Sequence, residues 1–115
     1  MLSLSAKVRV FLCTRAVDMR KSFDGLHGLV LEVLRQDPLS GDLFVFLNKR
    51  RDRLKLLVWE GDGWTILYRR LEAGTFALPA SQGDSLVLSA AQLSLLLGGI
   101  DLRETRPRKR YARAS

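Results

Sequence analysis

Residues 48–55 read Asn-Lys-Arg-Arg-Asp-Arg-Leu-Lys, and five of the residues from Lys49 to Lys55 are basic against one acid. Guanidinium groups spaced this closely can bridge phosphate oxygens in pairs or reach guanine O6 and N7 in a groove. The spacing does not separate these two uses. Asp52, inside the run, reads as a restraint that pairs with an arginine. Lys55, Arg69 and Arg70 fall on flanking apolar segments and extend the patch, and Arg20 and Lys21 add a second short basic pair. The candidate nucleic-acid-binding set is therefore Arg20, Lys21, Lys49, Arg50, Arg51, Arg53, Lys55, Arg69 and Arg70. A solvated loop could carry the same residues. What favours a polyanionic partner is where the charge lies. The chain carries a formal net charge of +7, and a second basic stretch, residues 101–115, holds six basic residues and two acids. These two stretches account for the whole excess, and charge gathered this way raises the local potential.

Other chemistry finds less support. His27 is the only histidine, so a metal site or a Ser-His or Cys-His pair would rest on it alone. No glycine-rich phosphate loop is present. Asp18, Asp24, Glu32 and Asp37 are close in sequence, and acids of this kind can hold two Mg²⁺ ions. Three of them have a simpler reading: Asp24 as a helix cap or first-turn acid, Glu32 as solvated, Asp37 as a turn residue before proline. No catalytic residue, metal ligand or cofactor is expected. Cys13 is the single cysteine, cannot form an internal disulfide, and reads as a buried thiol suited to a reducing compartment. The aromatics Phe44, Phe46, Trp59, Trp64, Tyr68 and Phe76 alternate with these basic residues. Stacking on single-stranded bases is one reading and core packing the favoured one, with Trp64 beside a turn as the best candidate for exposure.

These residues need elements to position them. Residues 7–14 are rich in Val, Phe and Leu and read as a first strand. Leu26, Leu29, Val30, Val33 and Leu34 recur at helical spacing, with Ser22 or Asp24 as N-cap and Asp37-Pro38 as the stop. Residues 43–47, 54–59 and 64–71 read as three strands of an antiparallel meander. The basic loop joins the first pair and the glycine-containing turn 60–63 the second. Residues 74–79 read as a short extended piece and 80–85 as a polar loop. Ser89-Ala90-Ala91-Gln92 matches a capping box, followed by Leu93, Leu96, Leu97 and Ile100, with Gly98 and Gly99 at the end. The expected fold is α+β: a mostly antiparallel sheet of four to five strands with two helices, and a basic C-terminal tail. Residues 1–102 form one domain and 103–115 a flexible tail. The helices are expected on one face of the sheet, leaving the other to a homodimer or a partner protein. No apolar run approaches the roughly 18 residues needed to span a bilayer, and the N-terminus is too interrupted by Lys7 and Arg9 for a signal peptide. A cytoplasmic, nucleoid-associated bacterial protein without membrane contact is the expectation.

The blocks DMRKSFDGL (18–26), LFVFLNKRRDRLKLLVWEGDGWTILYRRLEAGTFALP (43–79) and LSAAQLSLLLGGIDL (88–102) resemble, in order along most of the chain, the TnpB accessory protein family of the insertion sequence sixty-six group. This second-open-reading-frame-like family is not the RNA-guided nuclease that shares the name. The resemblance implies a non-catalytic accessory factor of DNA transposition, encoded beside a larger transposase that performs the strand chemistry. It implies DNA at the element ends, the transposase and another element-encoded protein as partners. A pure adaptor for the transposase, never touching DNA, is the alternative. Matching positions are Asp18, Met19, Arg20, Lys21, Phe23, Asp24 and Gly25 in the first block. In the second they are Arg50, Asp52, Arg53, Lys55, Trp59, Gly61, Gly63, Tyr68, Arg69, Arg70 and Leu71. Ser22 departs from the glycine usual in the family, and the C-terminal tail varies among relatives.

Overall fold

The computed structural model describes residues 7–101, 106, 107 and 111. Strand β1 (Val10–Cys13) is followed by helix α1 (Phe23–Leu29), which continues as a π-helical turn over Val30–Leu34. Strands β2 (Leu43–Leu47), β3 (Arg53–Trp59), β4 (Trp64–Arg70) and β5 (Ser85–Leu88) follow, then helix α2 (Ala90–Leu97). The sheet order is β4-β3-β2-β1-β5. Strands β1 and β2 pair in parallel, and the other neighbours are antiparallel. A parallel pair needs a crossover, here α1, whereas the short loops of the meander permit only antiparallel neighbours. Two short strands, β6 (Ile100–Asp101) and β7 (Arg106–Pro107), pair separately. Apart from Arg106, Pro107 and Tyr111, the expected tail lies outside the described residues.

The side-chain period of two sorts the apolar strands onto two cores. On one face Phe11, Cys13, Phe44, Phe46 and Leu57 pack against Leu26, Val30 and Leu34 of the α1 segment. Phe11 and Phe44 stack at 5.8 Å. On the other face Val10, Leu12, Leu43, Val45, Leu54 and Leu56 pack against Leu93 and Leu96 of α2 and against Phe76 and Leu78. The helices therefore lie on opposite faces, not on one. Strands apolar on both sides require cover on both sides, and this chain supplies it itself. The sheet needs neither a homodimer nor a partner to cover its second face.

Capping differs at the two helices. The Ser22 carbonyl accepts from the Leu26 amide at 2.9 Å, but the Ser22 side chain makes no capping bond. The first segment ends at Arg35, in the left-handed region at φ 54°, just before Asp37-Pro38. At α2 the capping box is complete: Ser89 Oγ accepts from the Gln92 amide at 3.0 Å, and Gln92 Oε1 accepts from the Ser89 amide at 2.9 Å.

One buried acid holds the start of β1 to the loop before β2. Asp42 accepts from the Arg9 amide at 3.0 Å, the Arg9 guanidinium at 2.9 Å and the Ser40 hydroxyl at 3.0 Å. Burial pushes its carboxyl up, but these hydrogen bonds together outweigh burial and hold it below the usual range. Asp42→Ala leaves the Arg9 amide without its acceptor beside the parallel β1–β2 pair. We expect a loss of about 2 kcal/mol in urea unfolding. A loss under about 0.5 kcal/mol would mean that solvent replaces the carboxylate freely.

Candidate nucleic-acid interface

Because β1 and β2 run parallel, the connections leaving their carboxyl ends emerge side by side. The Val17 amide donates to the Leu47 carbonyl at 2.9 Å and pins the first connection to the second. Between them lies a groove of about 470 Å³. Ala16, Val17, Asp18 and Met19 form one wall, and Asn48, Lys49, Arg50, Asp52 and Arg53 the other. Ligands of open α/β sheets settle in this kind of crevice, beyond the carboxyl ends of the strands.

The basic loop is fixed from within. Asn48 Oδ1 accepts from the amides of Asp52 at 3.0 Å and Arg53 at 2.9 Å, and its Nδ2 donates to Asp52 Oδ1 at 2.6 Å. The expected arginine partner of Asp52 is secondary, since Arg50 Nε stands 3.9 Å away. The hydrogen bond from Asn48 lowers the Asp52 carboxyl below its ordinary range, with smaller help from the arginine charges. Arg51 takes φ 56°, a left-handed conformation seldom adopted outside glycine and asparagine. Two bonds from outside hold it there: the Phe76 amide donates to the Arg51 carbonyl and the Leu71 amide to the Asp52 carbonyl, each at 2.7 Å. With the backbone secured, Lys49, Arg50, Arg51 and Arg53 all point into solvent.

The opposite wall is a clamped turn. Asp18 accepts from the Arg20 amide at 2.9 Å and from its guanidinium at 2.7 Å. These bonds, the side-chain one first, lower the Asp18 carboxyl to about 2. A depressed carboxylate favours the folded form above its ordinary range, and that contribution disappears as the pH falls through about 2. Carboxyl NMR of the folded protein should give an Asp18 midpoint near 2, and Arg20→Gln should return it toward 3.8. An unchanged midpoint in the variant would assign the shift to the turn's backbone alone.

Beside the groove, Arg53 and Arg70 face each other across β3 and β4, as do Lys55 and Tyr68. Arg53 Nη1 donates to the Tyr68 hydroxyl at 3.3 Å. Arg53, Tyr68, Arg70 and Glu72 line a second hollow of about 410 Å³, with Arg70 paired to Glu72 at 2.8 Å. Arg53 borders both hollows and joins them into one surface.

Residues 8–107 match the TnpB_IS66 family, described as IS66 Orf2 like protein. The chain belongs to that family. Among its relatives, the uncharacterized protein y4hO of Sinorhizobium fredii (strain NBRC 101917 / NGR234) is 42% identical over 103 residues, covering 90% of each chain. The uncharacterized protein y4jC of the same strain is 39% identical over 101 residues, covering 88% of this chain and 86% of its own. No solved structure matches. Membership supports a non-catalytic role associated with the IS66 transposition machinery and implies interaction with its components.

Within this TnpB_IS66 protein the nine sequence-derived candidates do not form one patch. Lys49, Arg50 and Arg53 line the groove, and Arg70 extends it. Arg20 and Lys21 adjoin its far wall. Arg51 turns away, into hollows shared with Thr14 and Arg15 on one side and Leu78 on the other. Two residues are engaged elsewhere in the fold. Lys55 is only 8% exposed. Its ammonium donates to the Lys21 carbonyl at 2.7 Å and lies over the Tyr68 ring, so it braces the first wall against β3. Arg69, one residue out of phase with Arg70, points to the other sheet face and donates to the Leu97 carbonyl at the end of α2. The sequence reading overlooked Arg15, which borders Lys49 and Arg51 and pairs with Asp84 at 2.8 Å. Its position just past the end of β1 was the available signal.

The remaining candidates for chemistry have structural places. His27 meets Trp64 edge-on at 5.6 Å, and Trp64 also packs on Trp59 at 5.1 Å, so the expected exposed aromatic is half-buried. The Cys13 thiol is buried and raised above its ordinary pKa by that burial. Among the described residues no group of three His, Cys, Asp or Glu side chains could hold a metal ion, and no helix is long and apolar enough to cross a membrane.

Proposed function

We propose that this protein binds DNA at the ends of its insertion sequence and assists the transposase there. The observation that carries the reading is the convergence of Lys49, Arg50, Arg53 and Arg70 on one side of the sheet, along two hollows that share Arg53. The loop bearing most of these charges is already ordered by Asn48, Phe76 and Leu71, which reduces the entropy lost on binding. Paired acids temper the surface, since Asp18, Asp52 and Glu72 each face a cation. Exposed pairs of this kind are weak and can open toward a phosphate. The sheet leaves no bare face for a second copy or a partner protein, because this chain packs apolar cover on both.

The test is fluorescence anisotropy on a labelled duplex carrying the element's terminal repeat, against a scrambled duplex, across a salt series. Tighter, salt-dependent binding to the terminal repeat is expected. Equal weak binding to both would reduce the interaction to generic electrostatics. No binding near physiological salt, with capture of the transposase from nuclease-treated extract, would make the protein an adaptor.

A further inference from the structure

The hollow formed by Arg53, Tyr68, Arg70 and Glu72 has chemistry that a duplex backbone does not use. Tyr68 is 49% exposed, although Ile66, two positions before it on the same face, packs against the core. One side of its ring is occupied: Lys55, its cross-strand partner, places Nζ 4.8 Å from the ring centroid. The cation is itself fixed by the Lys21 carbonyl at 2.7 Å. The ring is further held at its hydroxyl by Arg53. Strand β4 ends the sheet order, so the ring side turned away from β3 meets no further strand. An aromatic plane restrained at its back and at its tip, and open at its front, is preorganised for stacking. Arg53 and Arg70 flank it as exposed cations, and Glu72 pairs with Arg70 at 2.8 Å.

Resting on the DNA reading above, we infer that Tyr68 is a stacking platform for an unpaired nucleobase, with Arg53 and Arg70 receiving the adjoining phosphates. The ligand class is single-stranded DNA continuous with a duplex: the paired part follows the groove beside Lys49 and Arg50, and the unpaired part passes Arg53 onto the ring. Stacking on one aromatic side chain is sequence-tolerant, so this site selects strand state and leaves base identity unread. Free ends and strand junctions, the DNA forms made by strand cleavage and transfer, would meet it.

The experiment compares a blunt terminal-repeat duplex with the same duplex bearing a single-stranded tail of about six adenosines. The full chain should bind the tailed duplex about tenfold more tightly. Tyr68→Leu should lose that preference and keep its affinity for the blunt duplex, whereas Tyr68→Phe, which retains the ring, should keep both. A 2-aminopurine in the tail should change fluorescence on binding the unaltered protein, which tests stacking without any substitution. Equal binding of blunt and tailed duplexes, or a preference that survives Tyr68→Leu, would overturn the platform and leave the DNA reading intact. Failure to bind either duplex would remove the DNA reading and the platform with it.

Discussion

Alanine at Arg50, Arg53 and Arg70 together lowers affinity for the terminal-repeat duplex on the order of 100-fold near 0.1 M salt, and flattens the slope of log affinity against log salt by about three units. The expectation follows from counterion release: each cation that neutralises a phosphate contributes roughly one unit of slope. The three residues were selected by position. Arg50 and Arg53 line the groove, and Arg53 and Arg70 line the adjoining hollow. Their existing partners are Asp52 at 3.9 Å, the Tyr68 hydroxyl at 3.3 Å and Glu72 at 2.8 Å. All of these contacts are exposed or long, so removing them should leave urea unfolding nearly unchanged. A preserved slope in a folded triple variant would take this surface out of the proposal. Arg69→Ala serves as the contrast: it loosens the end of α2 and leaves the slope alone.

Phe76→Ala costs about 3–5 kcal/mol in urea unfolding. Domains of this size hold only about 5–15 kcal/mol in total, so the variant should be substantially unfolded near body temperature. Phe76 lies outside any strand or helix, yet it is fully buried and is the largest side chain in the core beneath α2. Its amide also holds the Arg51 carbonyl. Truncation therefore opens a cavity under the second sheet face and loosens the basic loop's anchor. Phe76→Leu should recover much of the loss, because it restores volume and leaves the backbone bond in place. A cost below about 1 kcal/mol for the alanine variant would show that α2 alone closes that face.

Much of the scaffold was readable because its signals are local. The meander β2-β3-β4 follows from three apolar runs separated by a basic loop and a glycine turn, and the capping box at Ser89 forms as its spacing requires. Strand β5 escaped notice because Ser85–Leu88 is four residues long and runs straight into the cap of α2. Only its pairing with β1 makes it a strand, and that partner lies at the other end of the chain. The wholly apolar run Leu43–Leu47 already implied cover on both faces, but no local pattern assigns a helix to a face. The π-helical turn was equally hidden, since Val30 and Leu34 stay buried under either helical period.

The candidate site was legible by composition and illegible by direction. Arg69 and Arg70 are equivalent as letters, yet strand alternation sends one to α2 and the other to the basic surface. Lys55 looked like part of a charged run, and burial turns it into a brace. Tyr68 gave no hint of its exposure, because that depends on β4 being an edge.

The register that sets Val10 opposite Leu88 also governs the order in which this molecule can assemble. The meander needs only neighbouring segments and can close early, whereas β1 gains its second neighbour only after nearly the whole domain has been synthesised. Closing so long a loop carries a larger entropic cost and slows the final step. Until then the outer side of β1 is an unpaired edge. A chain truncated before residue 85 would therefore expose the outer side of β1 as a ready-made template for association.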